Sequence, residues 1–228
     1  MDTGRNIRMK DTLVRLVWAL PLFLTAMLAS TATPDLLESI LEEESLPGVS
    51  WATIDAGRAH TGGAGYAELY GARPMTATTK IQVGSVTKTL VALGILRLIS
   101  TEELHLDSDV EQLLPELRWD NPWRAETPVT VRHLLEHTAG LDNIRMWQFL
   151  NTGVTADTPL IDAFPQVHDE LLRIRTRPGT QYSYSNMGYA ILGLVIERFT
   201  AERYEIFLAR ELLEPLGMQD SSFRFITQ

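Results

Sequence analysis

Apolar positions along the chain recur in patterns that predict a short helix, a hairpin and then a succession of helices. Thr33-Pro34-Asp35 reads as a helix start, and Leu36, Leu37, Ile40 and Leu41 supply one apolar face as far as about Glu44, before Pro47 ends it. Gly48 to Ile54 and Ala59 to Leu69 read as two strands around the turn Asp55-Ala56-Gly57-Arg58. Gly62, Gly63 and Gly65 either weaken the second strand or mark a close backbone approach. The most apolar helix follows Gly84-Ser85. Val86, Leu90, Val91, Ile95, Leu98 and Ile99 recur at helical spacing, Ala92 and Leu96 widen the stripe, and so broad an apolar surface predicts a buried helix.

Further along, Asp107 or Ser108 is expected to cap a short helix closed by Leu113-Leu114-Pro115. Thr130 caps a helix from Val131 to about Thr138, stopped by Gly140. Met187 to Thr200 carries Tyr189, Leu192, Val195, Ile196 and Phe199 at helical spacing, and Tyr204 to Leu213 repeats the pattern. The stretch from Trp147 to Arg177 alternates polar and apolar segments without settling on an element. Two strands followed by many helices is an unbalanced set, because a lone hairpin is marginal without further strands or a helix to pack on.

Composition narrows the function classes. The 228 residues are 45% hydrophobic and 21% charged, as in an ordinary globular domain. A net charge of −9 excludes a basic nucleic-acid footprint, and the absence of cysteine excludes disulfides, thiolate catalysis and Cys-ligated metals. At the N-terminus, Arg5, Arg8, Lys10 and Arg15 precede an apolar run from Leu16 to Ala29, with Ser30-Thr31-Ala32 after it. That is the layout of a secretory signal peptide over residues 1–32, with cleavage near Ala32. The run is short for a membrane span and Pro21 interrupts it, so the membrane enters only during export and the product is secreted or periplasmic.

Three clusters carry candidate chemistry. Ser85 and Lys88 fall one turn apart on one helix face, so a hydroxyl and an amine meet at a helix start, the arrangement of an activated nucleophile. A Ser-x-x-Lys alone is common by chance in a chain of this length. Tyr184 and Asn186, two apart in an extended segment after Pro178-Gly179, point to the same side. Taken alone they are better read as a solvated turn that caps the next helix. His133-x-x-Glu136-His137 matches a zinc-peptidase signature in which two histidines one turn apart bind the metal, with Glu197, Glu202, Glu205, Glu211 or Glu214 available as a third ligand. Its plainer reading is a helix whose histidines hydrogen-bond locally while Leu134 and Leu135 face the core.

The order of these segments is more specific than any one of them. Gly84-Ser85-Val86-Thr87-Lys88, His133-Leu134-Leu135-Glu136-His137-Thr138-Ala139-Gly140-Leu141, Pro178-Gly179 with Tyr184-Ser185-Asn186-Met187-Gly188-Tyr189, and Glu214-Pro215-Leu216-Gly217-Met218 follow one another along the chain. That succession resembles the serine β-lactamase and penicillin-binding-protein superfamily, most closely its class C-like branch of β-lactamases, esterases and D-aminopeptidases. The resemblance runs from about Leu36 to the end. It implies an α+β fold of the β-lactamase/transpeptidase type, in which a helical lobe packs against an antiparallel sheet with the active site between them. Residues 33–70 would supply a helix and hairpin of the sheet lobe, and residues 71–228 the nucleophile helix and the helical lobe.

By the same resemblance Ser85 is the acylated nucleophile, Lys88 its proton partner, Tyr184 the relay to the leaving group and Asn186 the holder of a substrate amide. A lysine takes a proton only when neutral, which burial favours. The helix start favours negative charge near Ser85, and the Ser85 N–H supplies half of an oxyanion hole. The implied activity is a serine hydrolase that forms an acyl-enzyme on a β-lactam, a D-amino-acid peptide or an ester. Its partners are small-molecule or peptide substrates, with no cofactor and no metal. A non-catalytic β-lactamase-like binding protein is the alternative, and the zinc peptidase a remote one.

Other members carry a third motif, Lys-Thr-Gly or His-x-Gly, on a later strand. None follows Asn186 here, and all three lysines (Lys10, Lys80 and Lys88) precede it. The chain therefore reads as an N-terminal portion lacking the last strands of the sheet and the second oxyanion donor. Weak stability and weak activity are expected, since losing one such donor costs about a hundred- to a thousandfold in rate.

Overall fold

A computed structural model describes residues 34–101, 104–143, 155, 158–163 and 172–223. The leader-like segment and Trp147 lie outside them. The described residues fall into two compact units that divide after Ile81, each combining the local elements read from the sequence.

The first unit holds helix α1 (Pro34–Glu43) and a three-stranded antiparallel sheet of β1 (Gly48–Asp55), β2 (Arg58–Glu68) and β3 (Arg73–Pro74), in the order β1-β2-β3. Asp55 pairs with Arg58 across a two-residue turn in which Ala56 and Gly57 both have positive φ, the turn geometry that matches strand twist. The glycines of β2 mark close approaches. A Cβ on Gly62 would lie 2.5 Å from the Trp51 indole of the paired strand, so only glycine lets that ring lie flat across β2. The short β3 was not expected: two residues carry no detectable period. Leu41 of α1 and Ala64 of β2 are the buried apolar residues of this unit.

The second unit is helical. A single 3₁₀ turn (Gly84–Val86) leads into α2 (Thr87–Ser100). Then come α3 (Val110–Leu113), α4 (Val131–Leu135), α5 (Leu160–Ala163), α6 (Asn186–Thr200), α7 (Tyr204–Leu208) and a π turn (Ala209–Leu213). The core centres on α6, where Met187, Ile191, Leu192, Val195 and Ile196 are almost wholly buried against residues of α2, α4 and α7. The α2–α7 contact is close: a Cβ on Gly94 would lie 2.3 Å from Leu208. Among the described residues no helix is long and apolar enough to cross a membrane.

Three expectations change. The cap of α3 is Asp109, whose carboxylate accepts from the backbone of Glu111 and Gln112, because Asp107 is drawn off by Arg132 and Ser108 bonds back to His105. Helix α4 stops at Leu135 rather than near Thr138, since His137 takes a left-handed conformation (φ 57°) that no α-helix continues. And α2 is buried on one side only. Val91, Gly94, Ile95 and Leu98 face the core, whereas Val86, Leu93 and Leu96 are exposed, so the breadth of its apolar stripe overstates its burial.

Candidate active site

The start of α2 and the start of α6 bring four polar side chains together. Ser85 sits in the 3₁₀ turn and Lys88 in the first turn of α2, three residues on and on the same face, so the Lys88 Nζ reaches the Ser85 Oγ at 3.3 Å. The left-handed Gly84 (φ 53°) turns the chain into this position. On the other side Ser185 is the N-cap of α6, extended at φ −135° and ψ 122°. Its Oγ accepts from Gly188 N–H and donates to the Asp142 carbonyl, which leaves it buried, the sole polar residue so placed among those described. The extended backbone points Tyr184 and Asn186 to one side, toward α2.

The Tyr184 hydroxyl lies 2.6 Å from Ser85 Oγ, and Lys88 Nζ donates to Asn186 Oδ1 at 2.6 Å. The same ammonium stands 4.9 Å from the Tyr184 ring centre and 5.6 Å from that of Tyr189. All four residues singled out from the sequence are thus in mutual reach. Lys88, and after it the Ser85 hydroxyl, hold the Tyr184 phenol below the usual tyrosine range by stabilising its phenolate. Chemically, this is an exposed hydroxyl paired with a phenol that gives up its proton easily, both beside a cation.

Two further residues hold this arrangement, and the sequence did not place them there. Asn143 Oδ1 accepts from both the backbone N–H and the Nδ2 of Asn186. That fixes which end of the Asn186 amide faces Lys88, since Nδ2 goes to Asn143 and Oδ1 to the ammonium. Replacing Asn143 with Ala removes the shared acceptor and is expected to slow any reaction of Ser85 about tenfold, a loss within the usual range for one such bond. Labelling kinetics with an acylating or phosphonylating probe measure it, and an unchanged rate would show that Asn186 needs no support. His137 is the second. Its Nδ1 accepts from Ser185 N–H at 3.2 Å, and its ring packs against Tyr184 and Tyr189 with centres 4.5 and 5.1 Å away. The only sequence signal for either was the run from Thr138 to Leu141, which follows His137 and leads toward Asn143.

The zinc reading of His133, Glu136 and His137 fails on this geometry. It needs both histidines on one helical turn, but α4 has ended before His137. His133 instead completes the α4 capping box, its Nδ1 accepting from Thr130 N–H, while His137 turns to the tyrosines. Four of the five third-ligand candidates are engaged elsewhere: Glu197 accepts from Tyr204 N–H, Glu202 and Glu211 pair with Arg210, and Glu205 pairs with Arg203. Among the described residues no three His, Asp or Glu side chains cluster to hold a metal.

Comparison with known proteins agrees with this grouping. A model of the Beta-lactamase family matches residues 34–225. The chain belongs to that family. Esterase EstB of Burkholderia gladioli is 36% identical over 169 residues, which are 70% of this chain and 42% of the esterase. The octameric penicillin-binding protein homologue from Pyrococcus abyssi superposes with a TM-score of 0.65 at 30% identity, over 80% of this chain and 43% of that one. The D-amino acid amidase of Ochrobactrum anthropi SV3 superposes with a TM-score of 0.64 at 26% identity, over 82% of this chain and 50% of the amidase. The fold is of the β-lactamase/transpeptidase type, with helices and an antiparallel sheet. The chain spans 37% to 42% of the length of curated relatives such as protein flp of Staphylococcus aureus and EstB. The family includes esterases, an amidase and penicillin-binding protein homologues, and hydrolase chemistry is common to its enzymes.

Proposed function

We propose that the chain carries the nucleophile half of a serine hydrolase that works through an acyl-enzyme, with Ser85 as the acylated residue. The observation that carries this reading is the 2.6 Å contact between Ser85 Oγ and the Tyr184 hydroxyl, under an ammonium that favours the phenolate. Tyr184 takes the Ser85 proton as Oγ attacks the substrate carbonyl carbon, and returns it to the leaving alkoxide or amine as the carbonyl–heteroatom bond breaks. The phenolate so regenerated takes a proton from water as it attacks the acyl carbon, and passes that proton to Ser85 Oγ as the ester bond to Ser85 breaks. Lys88 balances the phenolate and orients Asn186. Asn186 Nδ2 gives one hydrogen to Asn143, and its second is placed to meet a substrate carbonyl. The Ser85 N–H, at the start of α2, donates to the developing oxyanion.

This division of labour moves the proton acceptor from Lys88 to Tyr184. The substrate class is an ester or an amide. Relatives named as an esterase and a D-amino acid amidase support both, and EstB, at 36% identity, favours an ester.

A fluorophosphonate probe tests the reading. Ser85 Oγ attacks phosphorus, fluoride leaves, and a stable adduct forms that mass spectrometry assigns to one peptide. Wild-type chain is expected to label at Ser85, and Ser85→Ala to show no adduct. Saturable binding of a penicillin or an ester with no adduct on either protein would support a non-catalytic binding protein in its place.

A further inference from the structure

His137 lies under the site and belongs to none of the four reacting or binding side chains, yet it touches the segment that carries two of them. Its backbone carbonyl accepts from Ser183 N–H at 2.8 Å and its Nδ1 from Ser185 N–H at 3.2 Å, so it grips the residues on both sides of Tyr184. Its ring packs at 4.5 Å on the Tyr184 ring itself. Ser185 is buried, so water is a poor substitute partner for that N–H, and only a neutral imidazole has a lone pair to offer it. We infer that His137 is the positioning residue for Tyr184, and that it acts only as the neutral imidazole whose Nδ1 accepts the Ser185 N–H. The inference rests on the acyl-enzyme reading above and adds to it a regulated state of the same site.

Protonation places an N–H where the acceptor was, facing the Ser185 N–H. That contact opens, the stack under Tyr184 loosens, and the 2.6 Å approach of Tyr184 to Ser85 is lost. The groups that face His137 are Lys88 from α2, Tyr182 and Tyr184 from the segment before α6, and Tyr189 from α6. On its own segment the exposed Glu136 precedes it. Burial first, and the Lys88 charge second, pull the His137 pKa below the ordinary histidine value. The imidazole is therefore neutral at pH 7 and above, and the site switches off on the acid side, below the usual histidine range. Stability follows the same sign. The unfolded chain takes up a proton before the folded one does, so the folded state loses stability as pH falls through the ordinary histidine value.

The left-handed backbone at His137 makes asparagine the informative replacement. Asparagine tolerates that conformation better than alanine, and its Oδ1 stands close to the place of Nδ1 but does not titrate. Fluorophosphonate labelling of the full chain is measured from pH 5 to pH 9 for wild type, His137→Asn and His137→Ala, with a melting curve for each. Wild-type labelling is expected to fall with the Tyr184 phenolate as pH drops and, below the ordinary histidine range, to fall more steeply, by about a further tenfold per pH unit. His137→Asn should stay within about threefold of wild type at pH 8 and lose only that extra steepening, keeping the single Tyr184 limb, whereas His137→Ala should label about ten- to a hundredfold more slowly at every pH. Should His137→Ala fail to fold, the asparagine variant alone decides. An extra acid steepening that survives in His137→Asn belongs to another group, such as His133, and overturns the inference. So do two folded variants that label like wild type. A wild-type chain that never labels sinks the acyl-enzyme reading itself.

Discussion

Lys88→Met is expected to slow labelling of Ser85 by about a hundred- to ten-thousandfold, the range for disabling general-base catalysis, because the cation that favours the Tyr184 phenolate is lost. Methionine keeps most of the side-chain volume, so the effect isolates the charge. Two things disappear with the ammonium. Asn186 Oδ1 loses its donor at 2.6 Å, and the Tyr184 phenol returns toward its ordinary value of about 10 because its main stabilising partner is gone. The sign is decisive. In wild type the reactive phenolate is favoured by a lowered pKa, so labelling should rise with pH and level off below the ordinary tyrosine range. In Lys88→Met the rise should shift to higher pH, and tyrosinate absorbance should shift with it. Tyr184→Phe should be as slow as Lys88→Met, and the double variant hardly slower than either, because the pair acts as a unit. A Lys88→Met chain that labels at the wild-type rate with an unshifted profile would remove Lys88 from the mechanism.

Ile95→Ala is expected to destabilise the chain by about 2–5 kcal/mol, the cost of a cavity in a packed core. Ile95 is fully buried on the single inward face of α2, flanked by Val91, Gly94 and Leu98. Against a total stability of roughly 5–15 kcal/mol this is a large fraction. It corresponds to a fall in melting temperature on the order of 5–20 °C. Leu96 differs from Ile95 by one position and is 48% exposed. Leu96→Ser should therefore change stability by no more than about 0.5 kcal/mol. Thermal melts of the two variants side by side check this, and equal losses would show that the outer face of α2 is packed after all. The same experiment bears on the site, because that inward face is what holds Ser85 and Lys88 against α6.

Local chemistry explains which parts were legible. The hairpin was readable because Asp55 to Arg58 is a turn in its own right, and α6 because Tyr189, Leu192, Val195, Ile196 and Phe199 recur at one helical spacing. Ser85 with Lys88, and Tyr184 with Asn186, were readable because each pair lies within one turn or one extended step, where spacing alone sets direction. The end of α4 was not readable. Nothing in His133 to His137 forbids a helix, and the left-handed turn at His137 is maintained by Ser183 and Ser185, more than forty residues away. Asn143 was invisible for the same reason, since its role exists only once it faces Asn186.

The sequence by itself determined the types of the longer elements, though not β3 or α5, together with the apolar stripe of α2 and the two short polar pairs, all products of neighbours at fixed spacing. Tertiary structure decided which side of α2 is core, that Tyr184 rather than Lys88 touches Ser85 most closely, and that His137 belongs with the tyrosines and not with a metal. Each of those depends on two segments brought together by burial and backbone pairing, and a hydrogen bond across forty or a hundred residues leaves no period in the chain that makes it.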